Sequence, residues 1–292
     1  MTEKTVSNEA LAIILKMQQN ELNESVIYRE IAKFAKGEHN REVLNRLADE
    51  EAGHCEIWRA YTGRDLKLQK RKVFKYKLLA RIFGFTFAVK LMERGEAGAQ
   101  AEYEKLEQEV PESVQIRRDE EEHEQALLEI LDEERLQYVG SMVLGLNDAL
   151  VELTGSLAGF TFALGDPRRI ALSGLIVGIS ATFSMAASEF LSARSEGRND
   201  AFKSCTYTGV AYLVTVALLI LPYLLLSDAL VALACMIAVV LLIITAFTYY
   251  TSVALSRPFF SRFFEMAGIS VGVAVLSFAV GVAAKALLGV EV

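Results

Sequence analysis

Two Glu-x-x-His pairs, Glu51 with His54 and Glu120 with His123, use two of the three histidines in this chain of 292 residues. On a helix an i, i+3 spacing stacks two side chains on one face, so each pair offers a carboxylate oxygen and an imidazole nitrogen to one point. Such donors suit Fe(II), Mn(II) or Zn(II), and redox chemistry would favour iron. A second group of ionisable residues lies where charge is costly. Asp148 and Glu152 fall at i, i+4 in an apolar stretch, and Glu189 follows Met185 by four residues in the next. Carboxylates there would attract a divalent cation and accept protons, while a thioether sulfur favours a transition metal over Mg(II) or Ca(II).

The elements that must position the first group are four helices, expected at about 7–36, 39–63, 73–109 and 112–138. Ser7 and Asn8 offer an N-cap, Gly37 and Gly63 end the first two helices, and Pro111 separates the last two. Short links join helices one to two and three to four, and a longer crossover joins two to three, which is a bundle connectivity. A site built from all four helices needs one further Glu from the first and one from the third. Glu21 and Glu96 are the choices, because Tyr28 and Tyr103 each follow seven residues later and make the two halves look like a duplicated helix pair. Glu93, one turn before Glu96, is a candidate mobile ligand. Glu24 is read as a surface residue, His39 as an exposed loop residue and Cys55 as a core thiol. The crossover carries Lys67, Lys70, Arg71, Lys72, Lys75, Lys77 and Arg81 without an acid, then turns apolar. It reads either as a segment lying on an anionic membrane surface or as a solvated linker.

Charge divides the chain in two. Residues 1–138 hold 22 Lys/Arg and 28 Asp/Glu, whereas residues 139–292 hold 8 and 9. The second part contains five apolar stretches, near 140–165, 170–193, 203–226, 229–252 and 264–288, each long enough to cross about 30 Å of hydrocarbon. The polar N-terminus lacks an apolar h-region, so the first half is expected in the cytosol. Arg194, Arg198, Lys203, Arg257 and Arg262 then fall inside against Arg168, Arg169 and Lys285 outside, and the C-terminus lies outside. Gly174-x-x-x-Gly178 and Gly268-x-x-x-Gly272 would allow close helix approach, and Glu265 is expected at an interface. Three scattered cysteines give no disulfide framework. Without a phosphate-binding loop, ATP-driven pumping is not expected, and the acidic bundle makes nucleic acid an unsuitable partner.

Residues 7–138 resemble a rubrerythrin-type ferritin-like domain without the Cys-x-x-Cys rubredoxin module. The resemblance implies a di-iron centre held by Glu21, Glu51, His54, Glu96, Glu120 and His123, with Glu93 as an extra carboxylate. Manganese or zinc are possible substitutes for the iron. Gly145-Leu-Asn-Asp-Ala-Leu-Val with Ala158-Gly159, and Ser184-Met-Ala-Ala-Ser-Glu-Phe-Leu-Ser, are similar to the first- and second-span motifs of the vacuolar iron transporter family. That similarity implies Asp148 and Met185 as translocation residues and Glu189 as the acid of the second motif. It gives no counterpart for Glu152. Such a chain lacks the helical insertion that some relatives carry between spans two and three. The architecture resembles the membrane-bound ferritin proteins. The expected protein is therefore all-α: a ferritin-like four-helix bundle (1–138) followed by a five-helix transmembrane domain (139–292). The expected function is export of Fe(II), with Mn(II) as a second cargo, coupled to protons, from a homodimer in the cell (inner) membrane. Ferroxidase activity in the bundle stays open, and the rival expectation is a membrane-anchored di-iron ferroxidase or peroxidase without transport.

Overall fold

The structure, a computed structural model, describes residues 6–35, 37–94, 105–129 and 138–288. Among these the regular structure is helical throughout, in ten helices. They fall into two compact units, Met1–Leu136 and Gln137–Val292.

In the first unit, α1 (Asn8–Ala32) and α2 (Glu38–Thr62) form an antiparallel pair. Ser7 caps α1: its Oγ accepts from the Ala10 N–H at 3.1 Å. Glu109 holds that cap in turn, accepting from the Ser7 N–H at 2.6 Å and from its hydroxyl at 2.8 Å. Gly63 ends α2 in the left-handed conformation, φ 61°, with its N–H on the Arg59 carbonyl. The single third helix expected over 73–109 is instead α3 (Lys70–Phe83) and α4 (Phe85–Arg94), broken at Gly84 with φ 97°. Only glycine takes that conformation without steric cost. The break lets α4 bury Phe85, Phe87, Ala88, Val89 and Met92 independently of the face that α3 buries through Val73, Tyr76 and Ala80. The fourth helix is α5 (Glu112–Glu129).

Apolar side chains of this unit form two separate clusters. One joins Ile14 and Met17 of α1, Trp58 of α2 and Ile116 of α5. The other joins Ile27 and Ile31 of α1, Leu44 and Leu47 of α2, Leu127 of α5 and residues of α3 and α4. Between them, at matching depth on three helices, lie Glu21, Glu51 with His54, and Glu120 with His123. A polar layer thus lies between two hydrophobic clusters, with Glu21, Glu51, His54 and His123 buried and Glu120 half-buried.

The second unit holds α6 (Val139–Leu164), α7 (Pro167–Ser195), α8 (Ala201–Leu225), α9 (Ala229–Ala254) and α10 (Phe259–Leu288). Asp166 and Asp228 cap α7 and α9 by accepting from backbone N–H groups at 2.8 and 2.9 Å. The helices α7 to α10 are long and apolar enough to cross a membrane. Of the five expected spans, α6 is as long, at 26 residues, but Asn147, Asp148 and Glu152 lower its apolarity. It packs against each of the other four helices, with Asn147 and Asp148 half-buried and Glu152 exposed. Exposed Leu172, Ile176, Phe183, Leu224, Leu242 and Leu276 decorate the surrounding helices. Close approach is concentrated on α6: a Cβ on Gly145 would meet the Thr208 carbonyl oxygen at 2.6 Å, and one on Gly281 would meet that of Gly159 at 2.9 Å. Gly174 and Gly178 abut Leu157 and Val216, as the sequence leads one to expect, whereas a Cβ on Gly268 or Gly272 would meet nothing within 4 Å from another helix among the described residues.

Candidate metal centre and the acids of the second unit

In the polar layer of the first unit, ligand atoms of Glu21, Glu51, His54 and Glu120 all lie within 4.8 Å of one another, the one such cluster among the described residues. Both histidines aim Nδ1 into it. His54 Nδ1 is 3.4 Å from Glu51 and 3.5 Å from Glu120. His123 Nδ1 is 3.1 Å from Glu51 and 3.6 Å from Glu120. The two rings stack with centroids 5.6 Å apart. Glu21 joins from α1, and the Trp58 indole N–H donates to it at 3.3 Å.

Electrostatics follow from this crowding. Burial pushes the Glu21 carboxyl well up, and the neighbouring Glu51 and Glu120 charges push it further. Burial also opposes ionisation of Glu51, but hydrogen bonds from His123, His54 and Glu21 outweigh it and bring that carboxyl down to about 2. Burial disfavours the imidazolium ions, yet Glu120 and Glu51 hold both His54 and His123 up at about 10. Protons on the two histidines thus compensate the acids. A divalent cation is the other species able to do so, and three carboxylates with two inward Nδ1 atoms form a donor set that fits Fe(II), Mn(II) or Zn(II).

Sequence reasoning missed the groups behind the histidines. Asp119 lies 3.2 Å from His54 Nε2 and is itself held by the Gln115 amide at 2.7 Å. Glu50 lies 2.9 Å from His123 Nε2, though without hydrogen-bond alignment. Each acid immediately precedes a cluster glutamate and serves the histidine of the opposite helix. Acid-acid dipeptides at 50–51 and 119–120 were the available signal. Glu24, expected at the surface, is buried, because Lys72 of α3 covers it with Nζ 3.4 Å from its carboxylate. His39 is exposed, as expected, but it lies in the first turn of α2 rather than in a loop. Cys55 is buried, with Sγ 3.7 Å from the Gln18 carbonyl oxygen. Glu93 belongs to α4, with its side chain outside the described set, and Glu96 and Tyr103 lie outside the described residues.

The acids of the second unit are arranged differently. The helices α6 and α8 run parallel and share a polar seam: Ser141 with Ser204, Glu152 with Tyr212, Thr161 with Tyr223. The Tyr212 hydroxyl donates to Glu152 at 2.9 Å. Asp148, half-buried, sits one turn before Glu152 on α6. Glu189 is buried and accepts from Ser141 at 3.0 Å and from Ser204, with the Arg198 guanidinium 3.9 Å away. It stands six residues before the end of α7 at Ser195, about 9 Å along the axis, so it is near the helix end rather than deep within the span. Ser141 is about 10 Å along α6 from Asp148. Met185 packs partly buried against the apolar core. The two i, i+4 pairs, Asp148 with Glu152 and Met185 with Glu189, therefore occupy different levels, and the structure does not gather them into one cluster. Glu265 is exposed and paired with Arg262 at 2.9 Å.

Residues 139–200 match the family model described as the VIT family, the vacuolar iron transporters. The matched stretch contains Asp148, Glu152, Met185 and Glu189 and ends at the loop before α8. No curated protein and no solved structure matches the chain. Four apolar helices and a transporter-family stretch together indicate a multi-pass membrane protein, with metal transport as the activity that the family suggests.

Proposed function

We propose that the chain moves Fe(II), with Mn(II) as a second cargo, out of the cytosol across the cell membrane, and that its first unit collects metal at Glu21, Glu51, His54, Glu120 and His123. The observation that carries the transport reading is Asp148 and Glu152 on α6, the helix most enclosed by others, within the stretch similar to the VIT family. Intramembrane carboxylates mark ion or proton pathways because an anchor has no use for them.

In this reading Glu189, at the end of α7 beside Arg198, is the first carboxylate met from the cytosolic side. Asp148 and Glu152 form the next level about 10 Å further along α6. Each carboxylate gives oxygen donors when ionised and releases a cation when protonated, so a higher proton concentration outside favours unloading there. Met185 supplies a soft donor that discriminates against Mg(II) and Ca(II). Tyr212 orients Glu152 by its hydroxyl. The first unit would work by proton exchange: His54 and His123 give up their protons to free Nδ1, and Glu21 gives up its own. A bound iron pair would supply one-electron redox chemistry in that layer. Glu93 and Glu96 complete the proposed donor set, and the protein works as a dimer.

The decisive test is the full-length protein in proteoliposomes with Fe(II), Mn(II) and proton movement recorded together. Metal flux accompanied by counter-movement of protons is expected. The buried carboxylate and imidazole layer favours one rival, a membrane-anchored ferroxidase or peroxidase. Turnover of Fe(II) with oxygen or peroxide, without flux of any metal, would select that rival.

A further inference from the structure

We propose that α3 is a membrane-surface helix whose exposed face lies on an anionic lipid bilayer. The helix is amphipathic twice over. Val73, Tyr76 and Ala80 face the core of the first unit. On the opposite side Phe74, Leu78 and Ile82 follow at i, i+4 and i+8, with 65%, 44% and 54% of their surface exposed. At 1.5 Å per residue the three make a stripe about 12 Å long. At 100° per residue Arg71 falls within that face, Lys75 borders it on one side, and Lys70 and Arg81 border it on the other.

Charge decides what fits this face. The segment between Asp65 and Glu93 contains no acid. Lys72 and Lys77 turn inward to Glu24 and Glu30, but Lys67, Lys70, Arg71, Lys75 and Arg81 are exposed. This basic stripe belongs to a region with 28 acids against 22 bases, so it is a local reversal of sign. Apolar side chains flanked by long cationic ones match the boundary of an anionic bilayer, where stems bury and charged ends reach the headgroups. A second copy in a two-fold contact would set five cations against five. The same chain carries four helices long and apolar enough to cross a membrane, so a bilayer is the anionic surface available to this face.

The test uses the full-length protein carrying Phe74→Trp, reconstituted in vesicles with brominated acyl chains. The native Trp58 is fully buried, so it serves as background and as a reporter of intact folding. In vesicles containing phosphatidylglycerol the added indole is expected to be quenched at least twofold. A second protein, with Glu42→Trp at an exposed position of α2, should show no more quenching than the background. Combining Phe74→Trp with Lys70→Glu, Arg71→Glu, Lys75→Glu and Arg81→Glu should abolish the effect. Absence of quenching would overturn the proposal. Equal quenching in pure phosphatidylcholine would overturn the anionic assignment. A blue shift without quenching that grows with protein density would instead identify a second copy as the occupant. None of these readouts depends on metal flux, so they stand or fall separately from the transport reading.

Discussion

The first unit gathers its carboxylates into one layer and the second keeps them apart. In the first, Glu21, Glu51 and Glu120 crowd into one layer, and two imidazoles supply the balancing charge. In the second, Glu189 and Glu152 are each satisfied by hydroxyl donors, Ser141 and Ser204 for one and Tyr212 for the other. A crowded cage binds a cation strongly because several charged donors converge on one ion, for which protons on the imidazoles are the only competitors in the layer. Single carboxylates at successive levels bind more weakly and let an ion leave, as conduction requires. On the proposed reading, the contrast is between a place to hold metal and a route to move it.

The sharpest way to break that contrast is to neutralise one acid in each unit. Asp148→Asn should reduce metal flux in proteoliposomes by about 100-fold or more, the scale of removing a pathway charge, while leaving metal content of the first unit unchanged. Unaltered flux and unaltered pH dependence would refute the assigned route. Glu51→Gln should do the reverse: loss of most bound metal, measured by elemental analysis, with Asp148-dependent flux retained at saturating metal. A protein in which both variants lose both properties would show that the two regions are one site functionally.

Proton release sharpens the same contrast. His54 and His123 are held at about 10 and Glu51 at about 2 in the metal-free layer. At pH 7 both imidazoles carry protons that a metal must displace, so calorimetry in buffers of different ionisation enthalpy should detect release of about two protons per loaded site, with further release from Glu21. Affinity should therefore rise between pH 7 and pH 10. The sign for the metal-free fold is opposite. Raised histidine values contribute stability fully below about 6.5, which is lost as pH rises through about 10, whereas the lowered Glu51 value contributes above about 4.5 and is lost as pH falls towards 2. A metal affinity independent of pH would exclude the imidazoles as ligands.

What could be read from sequence was local, and what could not was made by partner helices. The Glu-x-x-His pairs declare themselves because i, i+3 residues share a helix face wherever the helix goes. Glu21 was accessible through its spacing to Tyr28. Asp119 and Glu50 escaped notice because each supports a histidine across a helix interface, a relation with no fixed sequence offset. Glu24 looked like a surface acid since the lysine that covers it, Lys72, comes from α3. The break at Gly84 was hidden by the apolar run Ile82 to Phe87, whose periodicity reads as one continuous helix, although Phe-Gly-Phe contains the warning. In the second unit, Asp148, Glu152 and Glu189 stand out against apolar neighbours. Their hydroxyl partners do not, because Ser, Thr and Tyr are unexceptional in a membrane helix.

Supporting groups offer the next smaller effect. Asp119→Asn and Glu50→Gln keep volume and remove the charge beside each Nε2 atom, and should weaken metal binding by about 10- to 100-fold, the usual scale for groups that orient a ligand. Asp119→Asn should have the larger effect, because Asp119 is fixed by Gln115 while Glu50 is not hydrogen-bond aligned with His123. Equal effects would mean that charge alone matters and that alignment in the layer is irrelevant.

The smallest expected change comes from Tyr212→Phe. It removes the hydroxyl that donates to Glu152 in the polar seam between α6 and α8. A hydrogen bond to an ionised group contributes about 1.5–3 kcal/mol, but Glu152 is exposed on its other side and water can replace the donor. Flux should therefore fall only about threefold. No loss at all would make Tyr212 a packing residue. A loss as large as that of Asp148→Asn would mean that the second unit holds its ion in a cage after all, and the contrast between the two regions would be one of lining rather than of purpose.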